Sequence, residues 1–191
     1  MKIETGYLYH IKDEYFKIVN DKHLMLNHKN NRTRPSYFVL NDENIFWLIP
    51  FSSKIEKYKK IIHDSYKKYG KCDFILIKKI FNKDSAILIQ NAFPIIEKYI
   101  DHVHKEGDEV LCLDKNLQNL IFKKFKLLMN LKNNGINLFV VDVDKIKKKM
   151  LMELQKNKIK CWQNENEMLL LSCPWNTKDV DIIIYLINVS R

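Results

Sequence analysis

Two pairs of short β-prone runs, each joined by a cluster rich in Asn and Asp, constrain this chain more than any other feature. Ser36–Leu40 and Ile45–Pro50 flank Asn41-Asp42-Glu43-Asn44, and Phe74–Ile80 and Ser85–Gln90 flank Asn82-Lys83-Asp84. Asn and Asp tolerate left-handed backbone and bond back to their own main chain, so each cluster reads as a hairpin turn. Hairpins build antiparallel sheet. Thr5–Ile11, alternating and rich in aromatics, adds a strand, and Ile136–Val141 adds another. Helical spacing falls between them. Lys12–Asn20 sets Tyr15, Phe16 and Val19 on one face. Ser52 or Ser53 starts a helix that runs through Ile55, Tyr58, Ile61, Ile62, Tyr66 and Tyr69 to Gly70. A short helix is expected from Pro94 and a longer one over Asp144–Lys156. Asp114–Asn133 lines up Leu117, Leu120, Ile121, Phe125, Leu128 and Leu131 before Asn134-Gly135. The pattern predicts an α+β fold: a twisted, mainly antiparallel sheet with packed helices, curled into a half-open barrel. A Gly-rich phosphate loop and a βαβ rhythm are both missing, which disfavours nucleotide-dependent enzymes.

Charge divides the chain. The net charge is +10. Residues 151–191 hold five basic residues (Lys156, Lys158, Lys160, Lys178, Arg191) against five acidic ones (Glu153, Glu165, Glu167, Asp179, Asp181). Residues 1–150 therefore carry the whole excess, and 151–191 reads as a neutral C-terminal extension with strands at Glu167–Cys173 and Val180–Val189. A small basic domain is drawn to polyanions. Much of the lysine accompanies Ile and Asn, as an A+T-rich genome would produce. The arginines say more: of three, Arg32 and Arg34 share one loop. Guanidinium forks suit phosphate and guanine edges. Apolar runs such as Ile182–Val189 are too short for a bilayer, and no signal peptide opens the sequence. No membrane association is expected, and the cytoplasm is the expected compartment. Cys72, Cys112, Cys161 and Cys173 form no C-x-x-C pair and read as buried free thiols.

Several constellations carry chemistry. A buried strand, Ile45–Pro50, ends at its proline and opens through Phe51 into Ser52, Ser53 and Lys54 at a helix start. Two hydroxyls, a lysine and free backbone N–H groups would hold a phosphate; an ordinary helix cap is the alternative. His28, Lys29, Arg32 and Arg34 make a loop suited to phosphates, with His28 able to move a proton. His10 either faces the same cleft or packs in the core. His102-Val103-His104 resembles half a metal site, and Asp142-Val143-Asp144 resembles paired nuclease carboxylates or a helix cap. Tyr7, Tyr9, Tyr37 and Trp47 either stack on unpaired bases or fill the core. No metal and no cofactor is expected.

The order of elements, Asn31-Arg32-Thr33-Arg34-Pro35-Ser36-Tyr37-Phe38-Val39-Leu40, the stretch Trp47–Lys60 and the run Ser85–Ile96 together resemble the type III toxin family of ToxN, AbiQ and CptN-like toxins over about residues 1–150. That resemblance implies a metal-independent endoribonuclease on a compact barrel akin to the MazF and Kid toxins. It implies as partner a small non-coding antitoxin RNA, bound in a closed assembly of protein and RNA. Cellular or phage mRNA is the implied substrate, and plasmid maintenance or abortive phage defence the setting. Ser52 and Ser53 match the family's hydroxyl pair. The family lysine falls on Lys54 or, one helical turn on, Lys57. Arg34 falls near another family lysine, and His28 is assigned the proton. Lys29, Arg32, Lys57 and Tyr37 are assigned to RNA binding. The alternatives are a non-catalytic RNA- or DNA-binding module of a mobile element, and a metal-dependent nuclease built on Asp142 and Asp144.

Overall fold

The computed structural model describes residues 3–27, 35–42 and 44–156, with Phe38 and Val39 described through their backbone alone. His28, Lys29, Arg32 and Arg34 lie outside the described residues, as do the two strands expected in the extension. Contacts divide the chain into Met1–Leu151 and Met152–Arg191.

The elements run β1 (Leu8–Ile11), α1 (Asp13–Val19), β2 (Ser36–Asp42), β3 (Ile45–Ser52), α2 (Ile55–Tyr69), β4 (Ile75–Ile80), β5 (Lys83–Leu88), β6 (Phe93–Ile95), β7 (Ile100–Val103), β8 (Lys105–Glu106), β9 (Glu109–Val110) and α3 (Lys115–Asn133). A fourth helix, α4, covers 143–156. The main sheet has seven strands in the order β4-β5-β3-β2-β1-β7, with β6 alongside β3, and every pairing is antiparallel. The α+β class and the mainly antiparallel sheet agree with the sequence pattern. The sheet itself is an open path, not a closed barrel. No helix among the described residues is long and apolar enough to cross a membrane.

β3 is the spine: all eight of its residues are buried. It pairs with β2 and β6 along most of its length, then passes to β5 at Phe51 and Ser52. Trp47 of β3 packs on Phe125 of α3 at 5.5 Å and Phe139 at 5.9 Å between ring centres. Leu117, Ile121, Phe125 and Leu128 form the buried face of α3, and Asp114 caps it by accepting the Leu117 N–H at 2.9 Å. On α2, Tyr58 packs with Ile75, Ala86 and Leu88, flanked by Ile55, Ile61 and Ile62; Tyr66 and Tyr69 project into solvent.

Three expectations change. Pro94 lies in β6, not at a helix start, and pairs with Trp47. β6 pairs along one side only, so the missing N–H is tolerated, while the Pro94 carbonyl accepts the Tyr15 hydroxyl at 2.8 Å. Residues 136–141 form no strand: the Asn137 side chain accepts the Phe139 N–H at 3.0 Å and turns the backbone. The second hairpin turns at Phe81-Asn82, both left-handed (φ 48° and 64°), so Lys83 opens β5 opposite Ile80.

Candidate active site

β3 surfaces at its C-terminal end. Ser52 is 5% exposed and sits across from Ala86 of β5. Its hydroxyl accepts the Lys54 N–H at 3.3 Å, and the Ser53 carbonyl accepts the Ile55 N–H at 2.9 Å. This tight turn puts Lys54, not a serine, at the capping position of α2. Ser53 is exposed. The helix-cap alternative for the serine pair is thereby corrected: a two-residue side-chain turn takes its place.

A cleft of about 280 Å³ opens on this turn. Pro35, Phe51, Ser52 and Ser53 line part of it; Lys83, Ser85, His104, Lys105 and Glu106 line the rest, over apolar Leu8, Ile80 and Leu111. Lys83 Nζ pairs with Glu106 at 2.8 Å, which holds the Glu106 carboxyl below its ordinary range. The short hairpin β8–β9 and its approach position His104. The His104 N–H donates to the Leu8 carbonyl at 2.7 Å, and the His104 carbonyl accepts the Leu111 N–H at 3.1 Å.

Beside the cleft the histidines gather. His10 Nε2 lies 2.8 Å from His104 Nδ1. The His102 ring stacks on His10 at 4.4 Å between centres, and His102 Nδ1 bonds Asp101 at 2.9 Å. Burial, then repulsion from His102 and His104, pulls the His10 pKa down to about 4. Burial also lowers that of His104; Glu106 opposes the shift, and His102 and Lys83 add to it. His104 is therefore a neutral imidazole at physiological pH, able to accept a proton.

The remaining sequence candidates fall as follows. Lys54 and Lys57 are exposed and do not line the cleft; Lys57 Nζ lies 5.6 Å from the Tyr58 ring centre. The lysines of the cleft are Lys83 and Lys105. Tyr37, expected to meet RNA, is 3% exposed and paired with Leu8 and Ile49, and burial raises its pKa; its ring packs in the core. Tyr9 and Trp47 are likewise buried. His102 and His104 turn to different partners, Asp101 and His10. Asp142 accepts the Lys145 N–H at 3.0 Å at the start of α4, while Asp144 pairs with Lys132 at 2.6 Å. These carboxylates are thus a cap and an ion pair. Among the described residues no group of three His, Cys, Asp or Glu side chains is placed to hold a metal ion. Cys72 and Cys112 are free thiols, but Cys112 is exposed where burial was expected.

No family model matches the sequence, and no curated protein matches it. Its structure, however, aligns with that of AbiQ, a lactococcal anti-phage endoribonuclease belonging to the type-III toxin–antitoxin system. The alignment covers 80% of this chain and 99% of AbiQ at 15% identity, with a TM-score of 0.62. At that identity the likeness is one of fold: this chain has the AbiQ fold.

Proposed function

We propose that this chain is a metal-independent endoribonuclease, the toxin of a type III toxin–antitoxin system. In this reading a small repeat RNA holds it in check, cellular or phage mRNA is its substrate, and phage defence or plasmid maintenance is its setting. One observation carries the reading: a serine pair, two lysines and a neutral imidazole share one cleft on an AbiQ-like fold.

RNA brings its own nucleophile. The 2′-OH attacks the adjacent phosphorus, the O2′–P bond forms and the P–O5′ bond breaks, leaving a 2′,3′-cyclic phosphate and a 5′-OH. The protein must align that attack, move two protons and stabilise charge on the phosphorane. His104 takes the 2′-OH proton. The Ser53 hydroxyl and the Lys83 and Lys105 ammonium groups hold the non-bridging oxygens. A proton must also reach O5′; Lys83, Lys105 or His28 is assigned to deliver it. Arg34, next to Pro35 in the sequence, is assigned to balancing phosphate charge. Lys29, Arg32, Lys54 and Lys57 extend the phosphate track, and residues 151–191 take no part in the chemistry.

The test is induced expression with and without the DNA upstream of the gene. The expected result is growth arrest and cut RNA, both relieved when that DNA supplies a repeat RNA that copurifies with the protein. A folded, harmless protein that binds RNA without cutting it would replace the enzyme with a binding module.

A further inference from the structure

We infer that His10 is a positioning residue that accepts the Nδ1–H of His104, so that the bare Nε2 of His104 is the nitrogen offered to the cleft. This rests on reading the cleft as the RNA-cleaving site, and it explains how one imidazole there is kept in the form that can take a proton.

His10 Nε2 and His104 Nδ1 are 2.8 Å apart, within hydrogen-bond distance. Two neutral imidazoles in such a contact share one proton. If His10 donates it, the only proton of His104 sits on Nε2, where it blocks acceptance from a 2′-OH. If His104 donates it, Nε2 is bare. Only the second arrangement survives the reaction. Once Nε2 takes a proton, His104 carries N–H on both nitrogens, and its Nδ1–H needs an acceptor. A His10 that also pointed N–H at that nitrogen would oppose the step.

The surroundings keep His10 neutral, the form in which its Nε2 can accept. His10 is 7% exposed, on β1. Its ring is stacked on His102 at an angle of 19°, and His102 is itself held by Asp101 on β7. Burial and the neighbouring imidazoles hold the His10 pKa down at about 4, so His10 stays uncharged across the neutral range. The other charged groups that face His104 are Lys83 on β5 and Lys105 and Glu106 on β8. Lys83 opposes an imidazolium and Glu106 favours it. A carboxylate commonly fills the orienting role in hydrolytic triads; here a buried neutral imidazole fills it, which holds the tautomer without adding negative charge beside an RNA phosphate.

The experiment uses the full chain and a long single-stranded transcript in single-turnover cleavage across about pH 5 to 8. His10→Leu, which keeps bulk and removes the acceptor, should lower the maximal rate about 10- to 100-fold and leave KM unchanged, part of the roughly 10²–10⁴-fold a positioned acid–base group contributes. His10→Gln, whose amide oxygen reaches the place of Nε2, should recover most of that loss. In the wild type, ¹⁵N NMR at neutral pH should show a pyridine-like Nε2 and a pyrrole-like Nδ1 on His104. A folded His10→Leu that cuts at the wild-type rate, or a His104 carrying its proton on Nε2, would overturn the inference. The NMR result decides the matter even if His10→Leu fails to fold. Full activity in His104→Ala is a different failure: it would remove His104 from the reaction and with it the proposed chemistry of the cleft.

Discussion

The cleft is built from two kinds of chain. One part, Pro35 and Phe51–Ser53, lies at the open end of a single hairpin, β2–β3; the other, Lys83, Ser85 and His104–Glu106, comes from β5 and from the segment after β7, which the β3–β5 and β1–β7 pairings bring alongside. The first part holds hydroxyls and a tight turn. The second brings the cleft's lysines and its histidine. A local motif can therefore mark one wall of a cleft while its lysines and its histidine stay hidden until the sheet is assembled. Lys54 and Lys57 adjoin the motif yet lie off the cleft, whereas Lys83, itself largely exposed, lines it.

Breaking the remote part should have the largest effect. His104→Ala should slow cleavage by about 10²- to 10⁴-fold in single-turnover assays with the fold retained; a loss under about threefold would leave catalysis to the hairpin alone. Next, Ser53→Ala and Lys83→Ala should each cost about 10²- to 10³-fold, the usual effect of losing a preorganised donor, whereas Lys54→Ala should cost about tenfold or less. The reverse order for the two lysines would move the site toward α2. Binding sharpens the contrast further, because it depends on charge spread well beyond the cleft. With about five phosphates neutralised, raising salt from about 50 to 200 mM should weaken affinity for single-stranded RNA on the order of 100-fold, and Arg32→Ala with Arg34→Ala should flatten that slope. The smallest effect concerns stability. The His10 pKa falls from 6.5 to about 4 on folding, so in that window the unfolded chain binds more protons. Stability should be full above pH 6.5 and decline by about 1 to 2 kcal/mol as the pH drops toward 4. Chemical denaturation of His10→Leu should lack this component.

What sequence could and could not reveal follows from how local each signal was. β2, β3, α2 and α3 stood out because turn residues, caps and apolar spacing lie within one element, and their ends fall close to where Gly70, Asp114 and Gly135 put them. The serine pair was visible as the end of an apolar strand. Lys83 was hidden by a plausible turn at Asn82-Lys83-Asp84; the chain turns one residue earlier, at a left-handed Phe81 that few sequences would suggest. β7 and β8 were missed because Ile100–Val103 and Lys105–Glu106 are short and polar, and their pairing depends on partners far away in sequence. His104 carried a local signal, the His102-Val103-His104 spacing, but that signal suggested metal; only the distant His10 gives the ring a different partner. Ile136–Val141 misled in the opposite way, since Ile136 and Leu138 are apolar yet exposed.

The central claim is that RNA is cut by its own 2′-OH with protein groups alone moving the protons. The most direct measurement is end-group analysis of a transcript cut by the purified protein in excess chelator, with His104→Ala alongside. The expected result is undiminished cutting, 2′,3′-cyclic phosphate and 5′-hydroxyl ends, and no comparable cleavage by the variant. Chelator-sensitive cutting that leaves 3′-hydroxyl and 5′-phosphate ends would contradict it.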